Sequence, residues 1–151
     1  MKRTIFILIL MLAVGMTASA KESFAKQFKG KEGFACVTIG KAAMKMMPVQ
    51  SKSNLKIGSI ADKVDHLEIV SASTPQAAQK LTKACNNWIE RDNFESVLDV
   101  DEGGQQASIY AKTGSDQNVF LLLEHEKETT SVIIIYGTMT LDDMNGVMGG
   151  Q

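Results

Sequence analysis

The chain has 151 residues, 44% hydrophobic, 22% charged and 6% aromatic, with only two prolines. That apolar share excludes a disordered segment, and two cysteines are too few for a disulfide-built scaffold. A formal net charge of -1 offers no broad basic field for nucleic acid or anionic lipid, and the length fits one domain.

The first twenty residues read as an address. Lys2 and Arg3 form a positive start, Ile5 to Val14 is an apolar run, and Ala18-Ser19-Ala20 places small residues where a signal peptidase needs them. The run is about ten residues long, half of the roughly twenty that a bilayer span takes. Cleavage is therefore expected after Ala20, leaving Lys21 to Gln151 as a single exported domain with no membrane span. No cysteine follows the cut, which argues against a lipid-modified N-terminus. Removing Lys2 and Arg3 from the 16 basic residues leaves 14 against 17 acidic ones, a net of -3.

In the mature chain, Phe24, Ala25 and Phe28 predict a short amphipathic helix over 22–29, ended by Gly30. Gly33 to Ile39 reads as a strand. Lys41 to Met47 has helical propensity and stops at Pro48, and 49–56 is polar enough for a loop. Val64 to Ser71 reads as the second strand. Ser73-Thr74-Pro75 then opens the longest helix, with a hydroxyl cap and proline at its first position. Its stripe of Ala77/Ala78, Leu81, Ala84/Cys85 and Trp88/Ile89 has a 3.6-residue period.

Four strands with short connections follow: Phe94–Val100, Gln106–Lys112, Val119–Glu126 and Ser131–Thr138. Short loops force neighbours antiparallel, so this half is expected to be a meander. A last short helix begins at Thr140, where Thr140 and Asp143 form a weak capping box. The fold class is α+β, a mostly antiparallel sheet of about six strands packed by one long and several short helices. In the strand from Phe94, the residues Phe94, Ser96, Leu98 and Val100 alternate with mostly acidic neighbours, so one face is expected to be wet. Val119 to Leu123 and Val132 to Tyr136 are apolar at nearly every position, as strands covered on both faces are. Their second face is covered either by the short helices or by another copy of the chain in a homodimer.

With these elements assembled, the chain resembles a family of small exported Bacteroidota proteins known as domain of unknown function 4252. The resemblance lies in Lys31-Glu32-Gly33 before Val37-Thr38-Ile39, Lys41-Ala42-Ala43-Met44 with Met47-Pro48, and Lys56 to Ile60 before Leu67-Glu68-Ile69. It continues through Val97 to Val100, Ile109-Tyr110 and Tyr136 to Asp143. It implies an exported α+β domain with an envelope role, and no activity or catalytic residues.

No familiar catalytic arrangement occurs. A Gly-x-Ser-x-Gly nucleophile turn is missing, and Gly103-Gly104 and Gly149-Gly150 lack the context of a phosphate loop. Asp99-Val100-Asp101-Glu102 lacks the alternating oxygen ligands of a calcium loop and reads as a solvated hairpin end. His66, flanked by Asp65 and Glu68, and His125, flanked by Glu124 and Glu126, read as exposed polar residues at strand edges; their spacing is not that of a zinc site. Cys36 and Cys85 share an oxidising compartment, but a strand and the buried stripe of a helix sit too far apart for easy bridging, so two buried thiols are expected over a disulfide.

Methionine is the distinctive residue. Six remain after the leader, in two clusters: Met44, Met46, Met47 and Met139, Met144, Met148. Thioether sulfur suits Cu(I), and Met44/Met47 and Met144/Met148 each share a helical face. The plainer expectation is that they fill irregular gaps between short helices and the sheet. No cofactor is expected. The first reading is a non-catalytic domain that binds an envelope protein or itself; the alternative is a Cu(I) or small-ligand carrier.

Overall fold

The structure, a computed structural model, describes residues 23–46 and 61–148. The signal segment, Met47, the stop at Pro48 and the 49–56 loop lie outside the described residues.

Six strands form one antiparallel sheet: β1 (Phe34–Gly40), β2 (Val64–Ala72), β3 (Glu95–Glu102), β4 (Gln105–Lys112), β5 (Asn118–Glu126) and β6 (Thr129–Gly137). Their spatial order is β1-β2-β6-β5-β4-β3. The last four strands are a meander, and β2 docks on the outer side of β6 through Leu67↔Ile135 and Ile69↔Ile133. The β3–β4 turn has Gly103 and Gly104 at φ 59° and 89°, the left-handed pair that a two-residue hairpin requires. The helices are α1 (Lys41–Met46), α2 (Pro75–Arg91) and α3 (Leu141–Met148). The segment expected as an N-terminal helix is a 3₁₀ turn, Ala25–Phe28, too short for a full α-turn ladder. No helix among the described residues is long and apolar enough to cross a membrane.

Helix α2 starts as its sequence dictates: the Thr74 hydroxyl accepts from the Ala77 amide at 3.2 Å and Pro75 follows. Its Ala77, Leu81, Cys85 and Trp88 are buried against one sheet face, here called the helical face. An aromatic chain closes that core: Phe28 on Phe34, Phe24 on Phe28, Phe24 stacked on Trp88 with centroids 5.1 Å apart, and Phe94 edge-on to Trp88. Such pairs add about 0.5–1.5 kcal/mol each beyond their buried area.

The alternation expected for the strand from Phe94 is broken. A β-bulge between Ser96 and Leu98 shifts the register, so Phe94 joins the helical-face core while Leu98 pairs with Ile109 on the opposite face. One extra residue in a strand reverses the facing of everything beyond it.

Candidate functional site

The second sheet face, here called the open face, divides into two rows of different fate. One row, Ile39↔Leu67↔Ile135↔Phe120↔Ala111, lies beneath the short helices. Met44 of α1, Met144 of α3 and Met139 pack there with Val64, Leu67, Phe120 and Ile135. Thr140 and Asp143 cap α3 reciprocally, the Thr140 amide donating to Asp143 at 2.8 Å and the Asp143 amide donating to the Thr140 hydroxyl at 3.3 Å. Lys63 anchors the same carboxylate at 2.7 Å, and with the Thr140 amide holds the Asp143 carboxyl below its usual range. Behind this joint Gly137 runs so close to β2 that a Cβ would strike the Lys63 carbonyl, which explains a glycine ending an otherwise bulky strand.

The adjacent row is Val37↔Ile69↔Ile133↔Leu122↔Ile109↔Leu98, in direct register across all six strands. Val37 and Leu98 at its ends are 49% and 45% exposed. Ile69, Ile133 and Leu122 between them are half-buried and Ile109 is buried. Val100 extends the row on β3, and Met46 of α1 and Leu141 of α3 are exposed on the flanking helices. These five, Val37, Met46, Leu98, Val100 and Leu141, are the exposed large apolar side chains among the described residues. All belong to this face or to the helices beside it. The next row, Ala35–Ser71–Ser131–Glu124–Ala107–Val100, is polar at its centre and apolar at its ends, and beyond it lie Glu102, Gln105 and Glu126.

Of the methionines singled out from sequence, Met44 and Met144 are 3% and 5% exposed and share one apolar cluster with Met139. Met47 lies outside the described residues, and Met148 ends α3 with its side chain outside them. Met46 points to the surface. The buried three sit among aliphatic and aromatic side chains, which is the gap-filling use of thioethers.

The histidines are not simple edge residues. Glu68, expected exposed, is 1% exposed, because β2 is an inner strand and the N-terminal turn folds over it. Its carboxylate accepts from the Ser23 hydroxyl at 2.7 Å and the Ala25 amide at 3.0 Å, and His66 Nε2 lies 3.5 Å from the same Oε1. His66 stacks on Tyr136 with centroids 4.2 Å apart. Serine, histidine and glutamate thus meet, but not as a nucleophile with its base: hydroxyl and imidazole both approach Oε1, so the imidazole nitrogen faces the carboxylate and not the serine. The cluster staples the chain's N-terminal turn to the sheet. His125 pairs with the Thr130 hydroxyl at 2.9 Å.

Cys36 and Cys85 are unpaired thiols. Burial pushes the Cys85 thiol up to about 12, so it behaves as a small apolar residue. No group of three His, Cys, Asp or Glu among the described residues is placed to hold a metal.

Asp92, just past α2, gathers Trp88 Nε1 at 2.9 Å, Lys112 Nζ at 2.9 Å and Arg91 Nε at 3.0 Å. Burial opposes its ionisation, but the hydrogen bonds from Lys112, Arg91 and Trp88 win and lower it from 3.8 to about 2. Because the folded-state value is depressed, the stabilisation is complete above 3.8 and is lost as pH falls toward 2. With the side chain partly exposed, it is worth no more than about 2 kcal/mol. Urea unfolding between pH 5 and 2 should show a steeper loss of stability in the wild type than in Asp92→Asn; parallel curves would contradict this role.

Among known proteins, the sequence model of the family described as Domain of unknown function (DUF4252) matches residues 28–147. No curated protein and no solved structure matches the chain. The family match runs from the N-terminal turn into α3 and takes in every strand: the chain belongs to the DUF4252 family.

Proposed function

We propose that the mature chain, Lys21 to Gln151, is an exported, non-catalytic domain that works in the cell envelope by protein–protein contact through the open sheet face. One observation carries this reading: among the described residues, every exposed large apolar side chain lies on that face or on the helices flanking it. Single exposed apolar residues are ordinary, but an aligned apolar row exposed at both ends and half-buried through Ile69, Ile133 and Leu122 marks a contact surface. The partner is another envelope protein or a second copy. The signal layout of the first twenty residues supports the compartment.

A photo-crosslinking residue placed at Leu98 should give a discrete protein adduct in the native envelope, whereas the same residue at exposed Lys83, on the opposite side, should give none. No adduct from Leu98, or equal adducts from both, would contradict the reading. The alternative, a Cu(I) carrier, draws on Met44, Met139 and Met144 sharing a cluster; their aliphatic and aromatic surroundings favour packing.

A further inference from the structure

We infer that the exposed row on the open face receives a single amphipathic helix of another protein, one that carries lysine or arginine along one flank. This rests on the contact reading above and names the partner's chemistry.

The dimensions select a helix. Six strands about 4.8 Å apart place Val37 about 24 Å from Leu98. A helix rising 1.5 Å per residue covers that in about 16 residues. On the opposite face α2, a helix of 17 residues, packs against β2 and β6, and the N-terminal turn and Phe94 complete the cover. The uncovered row is about 10 Å wide before polar residues begin, close to the diameter of one helix. That amounts to about 240 Å² of sheet, against the roughly 800 Å² per partner of a standard protein–protein interface. A second copy would have to bury the Ser71–Ser131–Glu124 row as well to approach that area. The strands of a second copy carry no lysine or arginine on their open face, and on that side its Lys41 and Lys45 stand on α1 and not along the row.

Charge selects the flank. Glu124, Glu126 and Glu102 line the side of the row away from the short helices, and all three are exposed. Lys41 and Lys45 are exposed on α1, the helix that packs over β1 and β2 at the covered first row. A helix seated along the row therefore turns its basic flank toward β3–β5 and keeps lysine and arginine away from α1.

The probe is a synthetic 18-residue helical peptide with leucine and alanine on one face and lysines along one flank, labelled for fluorescence anisotropy and titrated with the mature chain. A second peptide replaces each lysine with glutamate. The lysine peptide should bind at least tenfold more tightly than the glutamate peptide. Glu124→Lys, a change at an exposed site, should cut the affinity for the lysine peptide about tenfold. The double variant Val37→Asp/Leu98→Asp should abolish binding while circular dichroism shows both variants folded. Binding of neither peptide, or binding that both folded variants retain, overturns the inference. So does self-association of the chain that Leu98→Asp abolishes, which gives the face to a second copy. Binding seen only after residues 47–60 are replaced by a glycine–serine linker also overturns it, giving the face to the chain's own segment. A Leu98 cross-link in the envelope without peptide binding removes the helix and leaves the contact reading standing.

Discussion

Ile134→Ala should lower the unfolding free energy by about 4 kcal/mol, while Ile133→Ala, one residue away, should cost about 1–1.5 kcal/mol. The two side chains share a strand and a chemistry but face opposite ways. Ile134 is fully buried on the helical face, flanked by Glu68 on β2 and Leu121 on β5, in the core that Leu81 and Trp88 of α2 complete. Truncation there leaves a cavity that the packed sheet and helix cannot collapse around. Ile133 is half-buried in the uncovered row, so much of its surface is already in water. Urea unfolding of the isolated 21–151 chain measures both. Equal costs would mean that the two faces are equally covered, and the contact surface would disappear with the difference.

Glu68→Ala should cost about 3 kcal/mol and release the N-terminal turn. The carboxylate is the acceptor for the Ser23 hydroxyl and the Ala25 amide. Removing it leaves the buried Ala25 amide without this acceptor, and the turn that carries Phe24 and Phe28 onto Trp88 and Phe34 loses its anchor. Hydrogen exchange at the Ala25 amide and Trp88 fluorescence report the release separately from global unfolding. Glu68→Gln keeps one acceptor oxygen and should fall between the variant and the wild type. A loss below about 1 kcal/mol with the Ala25 amide still protected would show that aromatic packing alone holds the turn.

Much of this fold is legible in the sequence because the local signals agree with the global arrangement. Thr74-Pro75 and the 3.6-residue stripe locate α2, and the structure places the cap hydrogen bond where the hydroxyl allows it. The unbroken apolar runs of β5 and β6 announce burial on both faces; Ile134 and Ile135, at 0% and 5% exposure, meet that on opposite faces, while Ile133 and Leu122 in the same runs are only half-buried. The connections of two to five residues between β3, β4, β5 and β6 give the meander. What the chain pattern does not carry is register. The bulge at Ser96–Leu98 inserts a residue that no local motif marks, and it alone puts Leu98 and Val100 on the open face. Glu68 looks like an exposed strand-edge residue flanking His66 until β2 is known to be an inner strand beneath the N-terminal turn. The candidate site depends on five pairings at once: Val37, Ile69, Ile133, Leu122, Ile109 and Leu98 are scattered over 37–133 and become one row only when every strand is aligned. The methionines show the converse. Their clustering in sequence admits a soft-metal site beside the plainer expectation of gap-filling, and in space Met44, Met139 and Met144 pack under α1 and α3 against the first row.

The native size of the chain, extracted from the cells that make it and run by gel filtration beside Val37→Asp/Leu98→Asp, puts the question to the molecule most directly. Both side chains are exposed, so the double variant should unfold within a few degrees of the wild type. The wild type should elute in an assembly larger than one chain and the variant at the size of a single chain. A wild type that elutes as a single chain, or a variant that keeps the assembly intact, would contradict a function exercised through this face.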